Sequence, residues 1–431
     1  MKKLLPILFL TLIFSCTSTG IVDSNSSAEL IPLDPVVEYG VLDNGLEYFI
    51  RPNSEPHNRI VLRLVINAGS ILEDEDQLGL AHLIEHMAFN GTANFEKHEI
   101  INYLESTGMK FGADTNAHTS FDETVYKINI PADDPAMLRT GLEILKEWAF
   151  EIAFEDEEID KERGVVIEEW RSGRGADARM RDEYFSVLFS DSLYGVRMPI
   201  GDMEVVKNSS YDTIKRFYRD WYRPELMAVI VVGEVDSASV KTRIEDIFGD
   251  YNNGSNPRPR EEFPVPDNND RLYSIVSDPE AVTTKLQIVY KNDFVIGSTV
   301  GEYRTYVNKI LHNMMFRQRL DELTNQSKPP YIYGFAGATD LVRTKSAFYM
   351  GAVTAENGVV PAFKTLLEEN ERFMRFGFTE SELQRSKSEV LSFIEDAYRE
   401  KDKTESTYFA EELTDYFLNG TPAPGIDWEW K

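Results

Sequence analysis

The stretch Gly79-Leu80-Ala81-His82-Leu83-Ile84-Glu85-His86-Met87-Ala88-Phe89-Asn90 constrains this chain more than any other. Its apolar residues Leu80, Leu83, Ile84 and Met87 recur three and four apart, the spacing of an amphipathic helix. The polar residues keep the same period. With His82 at zero degrees around such a helix, Glu85 lies at about −60° and His86 at about +40°. Both imidazoles then point from successive turns toward one spot, with a carboxylate beside them. Zinc asks for two such nitrogens and leaves its other positions to a third ligand and a water. The intervening carboxylate can take the proton from that water, and the order His-x-x-Glu-His is that of the inverted zincins. The plainer alternative is a pair of partly exposed helix-surface histidines. Only six histidines occur in the chain, and the motif needs its structural context before chemistry is assigned.

The length of 431 residues allows two or three domains with well-filled cores. Acidic residues number 73 against 45 basic, a net charge of −28. Such a balance argues against nucleic acid as a partner and for a self-repelling surface. Residues 1–16 read as a lipoprotein-type signal peptide and stand apart from the fold. Lys2 and Lys3 precede an apolar run from Leu4 to Phe14 that is too short to span a bilayer as a mature helix. Cys16, the single cysteine, follows Ile13-Phe14-Ser15, which resembles a bacterial lipoprotein cleavage box. Lipidation at Cys16 would place the protein in a bacterial cell envelope, anchored and facing the periplasm or the cell exterior. With one cysteine, no disulfide can form within the chain. Residues 17–35 are polar and Ser-rich, as a tether would be.

Folded sequence begins near Val36. Asp43-Asn44-Gly45 marks a tight turn between two short extended runs, and Ile60–Ala68 reads as a strand. After the histidine helix come a helix at about 97–106, turn and strand through Ile130, and a helix opened by Pro135. Asp156–Arg171 is helical, and Met203–Tyr218 is amphipathic. Met227–Val232 is almost wholly apolar, as a buried central strand is. Asn, Pro, Gly and charge dominate 252–271, which reads as a linker. Beyond it the rhythm repeats, with a strand at 283–290, a helix at about 303–323, strands near 331–335 and 347–353, and helices to the end. The class is α+β, in two domains of similar plan: 36–251 with the chemistry, and 272–420 with His312 alone and no histidine pair. Residues 421–431 read as the start of a further connection. No glycine-rich phosphate loop follows a strand.

A two-histidine site needs another protein ligand, and a carboxylate on a separate helix is the usual source. Glu157 and Glu158 open an acidic helix start, an ordinary dipole effect. Glu162 and Glu169 sit two turns apart on one stripe, where Val165, Val166 and Trp170 offer a packing surface. One can ligate while the other orients a histidine. Spacing alone leaves Glu162, Glu168 and Glu169 all open.

Three ordered blocks now carry a resemblance. They are His82-Leu83-Ile84-Glu85-His86-Met87-Ala88-Phe89-Asn90-Gly91-Thr92, then Asn116-Ala117-His118-Thr119-Ser120 with Glu123, Thr124 and Tyr126, then Glu162-Arg163-Gly164-Val165-Val166-Ile167-Glu168-Glu169-Trp170. The chain resembles the pitrilysin and insulinase group of zinc metallopeptidases, family M16. The resemblance implies two mostly antiparallel sheets packed with helices, which together form half of a clamshell. It implies one zinc on His82, His86 and Glu169, with Glu162 as the supporting carboxylate and Glu85 as the base. It further implies an edge strand at Asn116, Ala117 and Thr119 that receives peptide substrates by strand addition. Tyr126 is either a supporting residue or a core tyrosine. The other half of the clamshell would come from the same full-length chain or from a homodimer partner. The implied function is zinc-dependent endopeptidase action on peptides or small unfolded polypeptides. The alternatives are a non-catalytic scaffold or partner subunit of the same fold, which would not need the histidine pair with Glu85, and a peptide-binding lipoprotein.

Overall fold

The protein is described by a computed structural model over residues 26–431 apart from 111, 253 and 255, so Cys16 and the expected signal segment lie outside the described residues. In chain order the first domain comprises β1 (Glu38–Val41), β2 (Glu47–Pro52), β3 (Arg59–Ile66), α1 (Leu80–Met87), α2 (Glu99–Ser106), β4 (Thr115–Thr119), β5 (Thr124–Pro131), α3 (Pro135–Phe150), α4 (Asp156–Ser172), α5 (Ala176–Leu188), α6 (Met203–Asn208), α7 (Tyr211–Trp221), β6 (Met227–Gly233) and α8 (Ser237–Phe248). The second comprises β7 (Thr284–Asp293), α9 (Val300–Thr324), β8 (Tyr333–Val342), β9 (Lys345–Thr354), α10 (Val359–Phe376) and α11 (Glu380–Arg399), followed by α12 (Ser406–Asn419) and α13 (Ile426–Glu429). The expected two-domain α+β plan is the observed one.

The first sheet has the order β1-β2-β6-β3-β5-β4. Its neighbours are antiparallel except β2 and β6. β6 is buried along its whole length because both faces of the sheet are covered. Met227, Val229 and Val231 join Leu62 and Leu64 in the larger core, while Ala228, Ile230 and Val232 join Val61 and Val65 on the other face. That alternation explains why the strand reads as a continuous apolar run. The second face is covered by Phe409, Ala410 and Leu413 of α12. This helix falls in the range expected for the second domain, yet its apolar stripe packs on the first sheet. Periodicity reveals a stripe and not the surface that receives it.

The second sheet, β7-β9-β8, is wholly antiparallel. Phe316, Leu320, Ala362 and Leu366 from α9 and α10 pack on Met350 and Ala352. Its strand, helix, hairpin, helix order parallels that of β3 through α3, where two helices, α1 and α2, stand before the hairpin in place of one. Two local details depart from the sequence reading. The amphipathic stretch Met203–Tyr218 is broken in two, because Asp202 caps α6 by accepting from Glu204 N at 2.7 Å and Ser210 caps α7 by accepting from Thr213 N at 3.1 Å. The expected tether is docked in its described part. Ile31 N donates to Ser298 O at 2.9 Å, Asp34 N donates to Ala423 O at 2.8 Å, and Asp34 pairs with Arg51 at 3.1 Å. Polar composition does not reveal such long-range backbone partners. Residues of the 252–271 stretch carry no helix or strand among those described. No helix among the described residues is long and apolar enough to cross a membrane.

Candidate metal centre

α1 seats on the larger core through Leu80, Ala81, Leu83, Ile84 and Met87. Its N-terminus is fixed twice. Gly79 sits at φ +93°, a left-handed conformation that glycine adopts at little cost. The buried Glu73 carboxylate accepts from Gly79 N at 3.0 Å and Ala81 N at 2.9 Å, satisfying N–H groups that a helix start leaves without partners. Burial pushes the Glu73 pKa up to about 8, against the pull of those N–H groups and of Arg197.

On the opposite arc the two imidazoles converge. His82 Nε2 and His86 Nε2 lie 3.2 Å apart, and Glu169 Oε2 lies 3.4 Å from the latter and 3.8 Å from the former. A tetrahedral ion with bonds of about 2.0–2.1 Å sets its ligand atoms roughly 3.3–3.4 Å apart, so the three donors fit a metal closely. Burial, helped by His86, pushes His82 down to about 4, which leaves it a neutral ligand at ordinary pH. Burial works against a charged His86 too, but its bond to Glu162 and the neighbouring carboxylates outweigh this and raise its pKa. Glu162 Oε1 meets His86 Nδ1 at 2.8 Å, and Glu162 Oε2 accepts from Asn90 Nδ2 at 2.7 Å. With its proton on Nδ1, His86 aims the Nε2 lone pair at the shared spot. Burial would raise the Glu162 pKa, but the bonds from His86 and Asn90 outweigh it and hold the group low.

α4 sorts its carboxylates by angle. At about 100° per residue, the buried Ile159, Arg163 and Val166 share one arc, with Glu162 and Glu169 on its flank and Glu168 turned away. Glu168 is exposed and pairs with Arg171. Val165, expected to pack beside Val166, is 49% exposed, since neighbouring positions on a helix cannot both face one core. It lines an open groove with Lys161, Gly164, Glu168, Glu169 and Ser172.

Glu85 is buried, and its Oε2 accepts from Thr119 Oγ1 at 2.7 Å. Burial pushes its pKa up to about 6, with the Thr119 bond pulling the other way. Thr119 ends β4, which pairs with β5 and has no strand on its other side among the described residues. Within β4, Ala117 N donates to the side chain of the exposed Asn116 at 2.9 Å. Tyr126, opposite Ala117 in register, is fully buried, with its hydroxyl 2.9 Å from that of Tyr222 and its ring against Trp148. Of the two readings left open for it, the core tyrosine describes its surroundings. His312 is enclosed by Phe316, Phe348, Phe373 and Phe378.

Residues 48–184 match Insulinase (Peptidase family M16), and residues 208–390 match Peptidase M16 inactive domain. The chain belongs to the M16 family. Among M16 relatives, the chain is 35% identical to a zinc protease PQQL-like protein of Arabidopsis thaliana, over 91% of this chain and 38% of that protein. It is 29% identical to the probable zinc protease PqqL of Escherichia coli, over 96% of this chain and 44% of that protein. A crystal structure of the first half of the periplasmic protease PqqL from Escherichia coli superposes with a TM-score of 0.87 at 29% identity, covering 93% of this chain and 86% of that one. The chain thus spans less than half the length of the curated M16 relatives it matches.

Two residues at this candidate site escaped the sequence reading of roles. Asn90 continues the four-residue step from His82 through His86, a signal that could have found it. Glu73 lies in an acidic loop that offers no local cue.

Proposed function

We propose that this chain is the metal-bearing half of a zinc-dependent metalloendopeptidase that hydrolyses peptides or small unfolded polypeptides. The observation that carries the reading is the convergence of His82, His86 and Glu169 donor atoms within 4.8 Å of one another, beside buried Glu85. His82, His86 and Glu169 hold one ion, and two imidazoles with a carboxylate form a known catalytic zinc set. When bound, zinc supplies the Lewis acidity that brings a water's pKa toward neutrality and polarises a carbonyl. The chain's own residues do the remaining work. Glu85 takes the water proton on Oε1, the oxygen that Thr119 leaves open, and returns it to the leaving amine. Thr119 orients that carboxylate, and Glu162 orients His86. The free edge of β4 at Asn116 and Ala117 takes the peptide backbone as an added strand.

In this reading 36–251 is the zinc domain and 272–420 its metal-free companion, and a second two-domain half closes the chamber. That half comes from the same polypeptide or from a second copy. The chain faces the periplasm, as the name of the Escherichia coli relative has it for that protein, and is held at the envelope by an acyl chain on Cys16. The test is elemental analysis with peptide turnover on one sample. One zinc per chain, with cleavage lost on chelation, is the expected result. Zinc without cleavage in the complete assembly would favour a scaffold, and neither would sink the proposal.

A further inference from the structure

The tips of two hairpins meet beside the proposed base. In the first domain, Ser120 N donates to Glu123 O at 2.8 Å and closes the turn between β4 and β5. In the second, Arg343 and Thr344 form the turn between β8 and β9, and the preceding Val342 is buried in the first domain's larger core. Asp122, in the first turn, accepts from Tyr194 Oη at 3.0 Å and from Arg260 Nη2 at 3.2 Å, and lies 3.8 Å from Arg343 Nε. The three charged side chains are each at least nine-tenths buried. Arg343 also bonds the Asn67 side chain, and Arg260 Nε donates to Asn67 O at 2.9 Å. From Asn67 the chain runs straight back along the same turn. Ser70 N donates to Ser120 O at 3.1 Å, Ile71 N donates to Phe121 O at 2.8 Å, and a Cβ on Gly69 would meet Ser120 O at 2.4 Å.

We propose that Asp122 and Arg343 are positioning residues for hydrolysis, through which the metal-free domain's hairpin holds the turn that aims Thr119 at Glu85. This rests on the reading of Glu85 as the base. Two considerations favour positioning over simple stabilisation. Buried ion clusters add little net stability over apolar groups of the same shape, whereas a proton acceptor displaced by about 1 Å can cost about 10²-fold in rate. Thr119 is directly continuous with the clamped turn, and among the described residues its hydroxyl alone donates a side-chain bond to Glu85, at 2.7 Å.

The test compares Arg343→Met, which keeps length and loses charge, with Arg343→Lys, in the assembly that cleaves a peptide. Metal content, kcat, KM and hydrogen exchange across 115–124 are measured. Arg343→Met should keep its metal, lose about 10–100-fold in kcat, hold KM within about threefold and exchange faster across 115–124 with α3 unchanged. Arg343→Lys should recover part of both losses. Unchanged kcat and exchange, or metal loss in step with kcat in both variants, would overturn the proposal. If Arg343→Met does not fold, Asp122→Asn, which preserves shape, decides by the same readings. A parent protein that binds metal and cleaves nothing would defeat the peptidase reading and this proposal with it, whereas a cleaving parent whose kcat and exchange are unchanged in Arg343→Met would defeat this proposal alone.

Discussion

The Glu162 carboxylate bridges His86 and Asn90, at 2.8 Å to the Nδ1 of one and 2.7 Å to the Nδ2 of the other. It raises the His86 pKa and fixes which nitrogen of His86 faces the shared spot. Removing that charge in Glu162→Gln should weaken metal binding by about 10–100-fold. The same bond sets a pH dependence. Ligation needs neutral His86, whose pKa is raised in the metal-free protein, so a proton competes and affinity falls as pH falls through that raised value. Zinc titrations between about pH 5 and 8 should show the decline, displaced to lower pH in Glu162→Gln. Flat affinity over the window would count against this arrangement.

Glu169 and Glu168 are adjacent in sequence and opposite in consequence. Glu169 Oε2 lies 3.4 Å from His86 Nε2, whereas Glu168 pairs with Arg171 on the exposed side. Elemental analysis should find metal lost in Glu169→Ala and retained in Glu168→Ala. The reverse pattern would move the third ligand.

Glu85→Gln should keep the metal and lose about 10²–10⁴-fold in hydrolysis, the usual worth of a positioned proton acceptor. The base acts deprotonated, and burial raises its pKa to about 6. A cation held beside it favours the carboxylate and lowers that value. In the parent protein kcat/KM should therefore rise with pH through a midpoint at or below about 6, and a mutant as fast as the parent would exclude Glu85 from the role.

Glu73→Ala leaves the N–H groups of Gly79 and Ala81 buried without their acceptor. The expected cost is about 2–3 kcal/mol in a denaturant melt, with weaker metal uptake because α1 loses its fixed start. Glu73→Gln, which retains an acceptor oxygen, should lie between the two. Equal stability of all three would mean water satisfies these groups.

Cys16 should carry acyl chains in native cells. Mass spectrometry of the mature N-terminus checks this, and a free N-terminus elsewhere would remove the anchor.

The histidine helix was legible because its information is local. A period of 3.6 residues puts His82, Glu85 and His86 on one arc whatever surrounds them, and it puts Leu80, Leu83, Ile84 and Met87 on the arc that packs. The unbroken apolar run of β6 likewise implied burial on both faces. Val165 misled because it was grouped with Val166 as one packing surface, although the two lie about 100° apart around the helix. The amphipathic stretch at 203–218 misled because two capping side chains outweigh a continuous pattern.

Sequence by itself determined the side-chain chemistry, the helical arc and the two-domain rhythm, since each depends on neighbours a few residues away. Tertiary structure decided where α4 and β4 lie against α1. It thereby set the 2.7 Å bond between Thr119 and Glu85, 34 residues apart, and the 2.8 Å contact between Glu162 and His86, 76 residues apart. It also decided that α12 crosses to the first sheet and that Glu73 caps α1. The physical reason is that a hydrogen bond is set within tenths of an ångström by the docking of whole elements, and that docking is settled by packing across the entire core.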